Sequence, residues 1–380
     1  LPVQRAFADW VELEADIPPG YDPSDEFKDE AGLWMIMEKY KEQLDRSSFV
    51  IRDTALNDYV KDIVARLAGP YANDIQVYII NRPFFNATMA PNGVMQIWSG
   101  LLLRMQSEAE LAAVLGHEIG HYLRRHSLNR FRNARNMTSA LSFLTVGLAA
   151  GGGGAGGSMA QLLALSMIFG YSRGQETEAD QFGLQLMNKA GYDGYAARDV
   201  WAGIMAEDAA YEEETGRKMK RGSPILATHP ASDDRMLKLS DLASVMAVSA
   251  TSSERHSQRY YEALRDHRLG FMEDQLQLNQ AGRTLFLLER LAKDPRVACE
   301  AHYFKGEVYR RRGDDGDYDL ALLAYDAALE AGTPPPQLFR SVGLIRLKQR
   351  NREAASNAFT QYLTLVPDAE DKAMIQFYLQ

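Results

Sequence analysis

At 380 residues the chain has room for a catalytic domain with a full core and a second, smaller unit. A composition of 46% hydrophobic and 24% charged residues is that of a folded chain, and a net charge of −9 argues against a nucleic-acid partner, which needs clustered Lys and Arg. Cys299 is the only cysteine, so neither an internal disulfide nor a thiolate metal cluster is available, and it does not fix a redox compartment.

Leu1-Pro2-Val3 lacks the charged and apolar regions of a secretory signal, so such a signal is absent or already removed. Ile17 to Pro23 reads as an extended lead-in, and apolar spacing predicts a helix from about Leu33 to Leu44. A second helix is expected from Asp53 to Leu67, capped by Asp53 or Thr54 and stopped by Gly69-Pro70. Ile75 to Ile80 and Val94 to Trp98 are rich in β-branched and aromatic residues and are separated by Pro and Asn-Gly signals. They predict a small antiparallel sheet.

Ser107 and Glu110 form a capping box that opens a helix expected to run to about Leu128. Arg124, Arg125, Arg130, Arg132 and Arg135 then read as a solvated face. Between Arg135 and Arg173 there is no charged residue, yet glycines 151–154 and 156–157 interrupt the run. The apolar pieces on either side fall short of the roughly 20 residues a membrane helix needs. Two buried helices joined by a Gly loop are preferred for residues 138–170, with a membrane-dipping hairpin as the alternative. From about residue 270, allowing a three-residue insertion near Asp314 to Gly316, Gly306 aligns with Gly343, Ala321 with Ala355 and Tyr325 with Phe359; the latter two pairs have the spacing of tetratricopeptide repeats, with a plain helical bundle as the alternative.

The chemistry lies in His117-Glu118-Ile119-Gly120-His121. At helical geometry the two histidines lie about 40° apart, on one face and one turn apart, so both can reach a single Zn²⁺. Glu118, about 60° from His121, can approach a zinc-bound water as general base without being a ligand. His126 falls about 180° from His117 on the same helix and reads as a surface histidine. Gly120 costs about 1 kcal/mol of helix propensity relative to Ala, which close approach of a facing strand or substrate would explain.

A catalytic zinc takes three protein ligands and leaves one position open. In the segment from Tyr171 to Asp180, Glu176 and Asp180 lie about 40° apart on one helix face, whereas Glu178 points about 200° from Glu176. Glu176 is assigned as third ligand, and Asp180 as the carboxylate that accepts the outward N–H of a ligating histidine. Taken alone, the same acids would suit an exposed helix start.

These motifs, with Ser172-Arg173, Thr228-His229-Pro230 and Arg235, resemble the gluzincin family of the HtpX heat-shock protease, CAAX prenyl protease and mitochondrial Oma proteases. The absence of a clear set of membrane spans and the C-terminal repeats favour its periplasmic, β-barrel assembly-enhancing branch. The resemblance implies a zinc-dependent endopeptidase acting on protein substrates in envelope or outer-membrane quality control, with the repeats engaging assembly machinery. Peripheral membrane association stays open. The alternative is a latent protease that acts mainly as a chaperone or adaptor through its repeats. The family's substrate-binding edge would be Asn86, Ala87, Thr88 and Met89, with Met95 to Trp98. His229 would fill the fourth zinc position or contact the oxyanion, and Arg235 would anchor its loop. The expected fold is mainly α with a small antiparallel sheet: an extended segment 1–24, a zincin-type protease domain 25–245, a helical connection 246–268 and a repeat domain 269–380.

Overall fold

The computed structural model describes residues 12–23, 28–134, 171–216, 229, 232–249 and 253–379. Among these the chain is mainly helical with one three-stranded sheet. It forms two compact units, Leu1–Ala206 with Met219–Phe271, and Glu207–Lys218 with Met272–Gln380. The interval 138–170, with its two readings, lies outside the described residues. No helix among the described residues is long and apolar enough to cross a membrane.

The first unit begins with α1 (Lys28–Arg46) and α2 (Thr54–Ala68). The Asp53 carboxylate accepts from the Leu56 amide at 2.8 Å, and Gly69 ends α2 at φ +55°, where a side chain would be strained. Strands β1 (Gln76–Ile80), β2 (Ala87–Met89) and β3 (Val94–Trp98) follow, in the spatial order β1-β3-β2. β1 runs parallel to β3 and β2 antiparallel to it, so the sheet is mixed and not antiparallel as expected. The chain leaving β1 crosses to the far side of β3 and returns as β2. The Asn92-Gly93 turn therefore closes the β2–β3 hairpin. Gly93 sits at φ +83°, and a Cβ there would fall 1.9 Å from the Asp74 carbonyl oxygen. Tyr40 and Leu44 of α1 pack with Ile80, Val94 and Trp98 in a buried cluster.

After α3 (Ser99–Arg104) comes α4 (Glu108–Leu123), every residue of which is buried. Ser107 Oγ accepts from the Glu110 amide at 3.2 Å, while the Glu110 carboxylate reaches the Gln106 amide at 2.9 Å, one residue before the cap. α4 lies against α6 (Arg173–Lys189) so closely that a Cβ on Gly120 would be 3.0 Å from the Ala179 carbonyl oxygen. A Cβ on Gly183 would be 2.8 Å from the His117 nitrogen. The glycine in the motif thus answers a facing helix, not a strand or a substrate.

α4 also stops at Leu123, short of the expected Leu128, because Arg125 turns into the left-handed region at φ +54°. α5 (His126–Ala134) then sets off afresh. Tertiary anchors hold this break: Arg124 bonds Glu178 and Asp16, and Arg125 bonds Glu30. α7 (Tyr195–Thr215), α8 (Asp233–Ser249) and α9 (Ser257–Leu276) complete the described helices through residue 276.

The second unit contains α10 (Ala281–Leu291), α11 (Ala298–Arg312), α12 (Asp317–Ala331), α13 (Gln337–Lys348), α14 (Arg352–Leu365) and α15 (Lys372–Tyr378). One contact recurs: a Cβ at Gly306 would lie 2.2 Å from the Tyr325 ring, and one at Gly343 would lie 2.5 Å from the Phe359 ring. Glu207–Lys218 groups here, although it falls inside the sequence span 25–245. Asp208 pairs with Arg283, and Glu214 accepts from the Gly282 amide at 2.6 Å.

Glu307, 4% exposed, joins three helices of this unit by accepting from Arg310 (2.6 Å), Tyr325 Oη (2.6 Å) and Ser341 Oγ (2.5 Å). Burial pushes its carboxyl up, but the Arg310, Ser341 and Tyr325 bonds outweigh this and hold it below its ordinary value of 4.5. Because the folded pKa is depressed, the stabilisation is full above that ordinary value and is lost as pH falls through the lowered one. Glu307→Ala should cost about 2–3 kcal/mol at pH 7 by leaving buried hydroxyls without an acceptor. Urea unfolding of the full chain from pH 7 to pH 3 should then show a shallower acid loss in the variant. Equal pH slopes would remove Glu307 as a junction.

Candidate metal centre

Three helices and His229 build the site. α4 supplies His117, Glu118 and His121, α6 supplies Glu176 and Asp180, His229 precedes α8, and Arg235 lies in the first turn of α8. All seven side chains are buried. His117 Nε2 lies 3.0 Å from His121 Nε2 and 3.1 Å from His229 Nδ1. Glu176 Oε1 lies 2.9 Å from His229 Nδ1 and 3.5 Å from His121 Nε2. One donor atom from each of His117, His121, Glu176 and His229 falls within 4.8 Å of the others.

The electrostatics suit a cation. Burial pushes Glu176 up, but His229, His121 and His117 overcome it and hold its carboxyl far below the usual range. Burial drives His121 well below its ordinary value against the pull of Glu176, leaving the neutral imidazole that ligation needs. His229 is lowered by burial but raised on balance by Glu176 and Glu118. Glu118 is raised by burial, partly offset by His229 and His117. Its Oε1 lies 3.5 Å from His229 Nε2 and has no hydrogen-bond partner.

The donor set fits Zn²⁺, which favours tetrahedral nitrogen and carboxylate oxygen ligands. Lone-pair nitrogens 3.0 Å apart in a buried site repel unless a cation or a proton lies between them.

Behind the donors, His117 Nδ1 faces Asp180 Oδ1 at 2.9 Å. Asp180 accepts from Arg235 Nε and Nη2, both at 2.7 Å, and Arg235 Nη1 reaches Glu176 Oε2 at 2.9 Å. Burial raises Asp180, yet Arg235 and His117 bring it below its usual value. The structure therefore gathers His117, Glu118, His121, Glu176, Asp180, His229 and Arg235 in one place.

The strand expectations divide. Asn86 flanks β2 and passes its carbonyl to the Trp98 amide at 3.0 Å, while Ala87, Thr88 and Met89 form β2, an edge of the sheet. Met89, Ala90 and Pro91 line one small cavity with His121 and Tyr122, so this edge ends beside the metal helix. Met95 to Trp98 belong to β3, which is paired on both sides and cannot offer a free edge.

Four residues near the donors have partners that sequence reasoning did not assign. His126 is 2% exposed and not a surface histidine: its Nδ1 lies 2.8 Å from His121 Nδ1 and its Nε2 lies 2.9 Å from Glu178 Oε2. The helix break at Arg125 turns it inward, and nothing in the local sequence marks that break. Glu178 faces away from Glu176 as expected and meets Arg124 and His126 instead. Tyr171 stacks on His121 with ring centroids 3.7 Å apart, and its adjacency to Ser172-Arg173 was the available signal. Trp201 stands edge-on to His117 at 6.0 Å and under the Arg235 guanidinium at 4.1 Å, with no local signal at all.

Residues 51–243 match the description "Peptidase family M48". The mitochondrial metalloendopeptidase OMA1 of Schizosaccharomyces pombe is 31% identical over 180 residues, covering 47% of this chain and 50% of that protein. OMA1 of Arabidopsis thaliana is 33% identical over 190 residues, 49% of this chain and 35% of its own length. The beta-barrel assembly-enhancing protease of Yersinia pestis is 27% identical over 226 residues, 56% and 44% of the two chains. The chain thus spans half or less of the length of these relatives.

Proposed function

The chain belongs to peptidase family M48, and on that premise we propose a latent zinc-dependent endopeptidase of the cell envelope. The observation that carries this reading is the convergence of His117, His121, Glu176 and His229 beside the unpartnered Glu118 oxygen. His117, His121 and Glu176 would hold the ion. Bound there, zinc supplies Lewis acidity toward a peptide carbonyl and acidifies a water molecule.

The chain's own groups do the rest. Glu118, whose carboxylate burial makes a stronger base, takes a proton from the attacking water and returns it to the leaving amine. Asp180, clamped by Arg235, favours the Nδ1–H tautomer of His117 and so keeps Nε2 free for the ion. An extended peptide adds to β2 along Asn86 to Met89 by main-chain hydrogen bonds, which brings its scissile bond toward α4. His229 stands at the fourth donor position, where a substrate carbonyl must arrive, and this supports latency.

The helices from α10 onward read as tetratricopeptide-like repeats, supported by the recurring glycine–aromatic contact, and would hold a protein client or an assembly machine. This reading includes a periplasmic setting and a role in outer-membrane protein quality control, supported by the motif resemblance and by the Yersinia relative's name, which speaks of beta-barrel assembly. The filled fourth position also favours a second reading, in which the chain acts mainly as a chaperone or adaptor.

His229→Ala should raise zinc-dependent cleavage of an unfolded protein such as reduced casein by about tenfold or more, equivalent to about 1.4 kcal/mol of barrier. Chelation should abolish the activity and zinc should restore it. No gain in cleavage together with unchanged zinc coordination would end the latency reading.

A further inference from the structure

We propose that His126 and Glu178 are positioning residues that set the tautomer and direction of His121 and so its hold on the metal; the inference rests on the zinc reading above. An ionised carboxylate only accepts, so Glu178 Oε2, 2.9 Å from His126 Nε2, requires the proton to sit on that nitrogen. Ligation through His121 Nε2 leaves that ring's proton on Nδ1, so His126, with its own proton on Nε2, meets it with a bare Nδ1. That atom lies 2.8 Å from His121 Nδ1, which must therefore be the donor. With its proton on Nδ1, His121 turns a lone pair at Nε2 toward His117 Nε2 and Glu176 Oε1.

Glu178 is itself fixed. Arg124 donates to its Oε1 from Nε at 2.8 Å and from Nη2 at 2.5 Å. The same guanidinium reaches the Glu14 carbonyl at 2.9 Å and Asp16 at 2.6 Å. The segment at residues 14–16 thereby braces the outer end of the relay, and the Asp16 amide also caps α4 through the Leu123 carbonyl at 2.8 Å. The two metal histidines are supported by different means: His117 by a carboxylate directly, His121 by a carboxylate acting through a second imidazole.

The test is zinc affinity by chelator competition on the full chain, with the visible spectrum of the Co²⁺-loaded protein as a second readout. His126→Asn and Glu178→Gln should each weaken zinc about 10- to 100-fold and alter the Co²⁺ bands, beyond any loss of metal-free stability. Affinities within about twofold of the parent in both variants would overturn the proposal. So would weakened affinity with unaltered Co²⁺ bands and a parallel loss of metal-free stability, since that is the mark of a packing role. His121→Ala separates the two readings. If it binds zinc like the parent, the metal reading itself falls; if it loses zinc while the other variants do not, only the relay falls.

Discussion

Glu118→Gln should lose about 100- to 10,000-fold in cleavage of an unfolded protein while keeping its zinc, because the amide matches the carboxylate in shape but cannot carry the proton. The side chain is 1% exposed, and glutamine has nearly its shape, so the variant tests the lost proton acceptor with little change in volume. The comparison is best made in the His229→Ala background. There the fourth position is open in both proteins and the parent rate is high enough to show the loss. Zinc stoichiometry measured on the same samples separates loss of chemistry from loss of metal. A variant that cleaves as fast as its parent would take the general-base role from Glu118.

Arg235→Met should cost about 3–5 kcal/mol of metal-free stability, the penalty for leaving buried carboxylates without their cation. Arg235 is 8% exposed and serves both Asp180 and Glu176 while lying over Trp201. Methionine fills similar space and removes only charge and hydrogen bonds. Zinc brings a new positive charge to Glu176, so the variant should regain more stability on metal loading than the parent does. Chemical denaturation with and without zinc reads both effects. Equal losses in the two states would mean that Arg235 packs against the site without compensating its charge.

The metal helix and its partner were legible because the chemistry forces regular spacing: two histidines one turn apart on α4, and two carboxylates one turn apart on α6. Both sets appear where helical geometry puts them. The caps at Asp53 and Ser107 were legible for the same reason, since each is settled within three residues of chain.

What escaped depends on distant partners. The break after Leu123 carries no glycine or proline and is held by Arg124 and Arg125 through Asp16, Glu178 and Glu30, so helical spacing alone turns His126 outward. β2 has three residues, too few to show an alternating pattern, and without it the parallel pairing of β1 with β3 could not be inferred. Trp201 reaches the site from a helix whose sequence has no metal motif. Gly120 was readable as a close approach, but its partner, α6, became clear only from the packing.

The most direct test of the zinc centre is anomalous diffraction at the zinc absorption edge from crystals of the zinc-loaded protein. The expected result is one strong peak about 2.0–2.2 Å from His117 Nε2, His121 Nε2 and a Glu176 oxygen, with His229 as the fourth neighbour. A zinc peak held by other residues, or none among these side chains at full zinc loading, would contradict it.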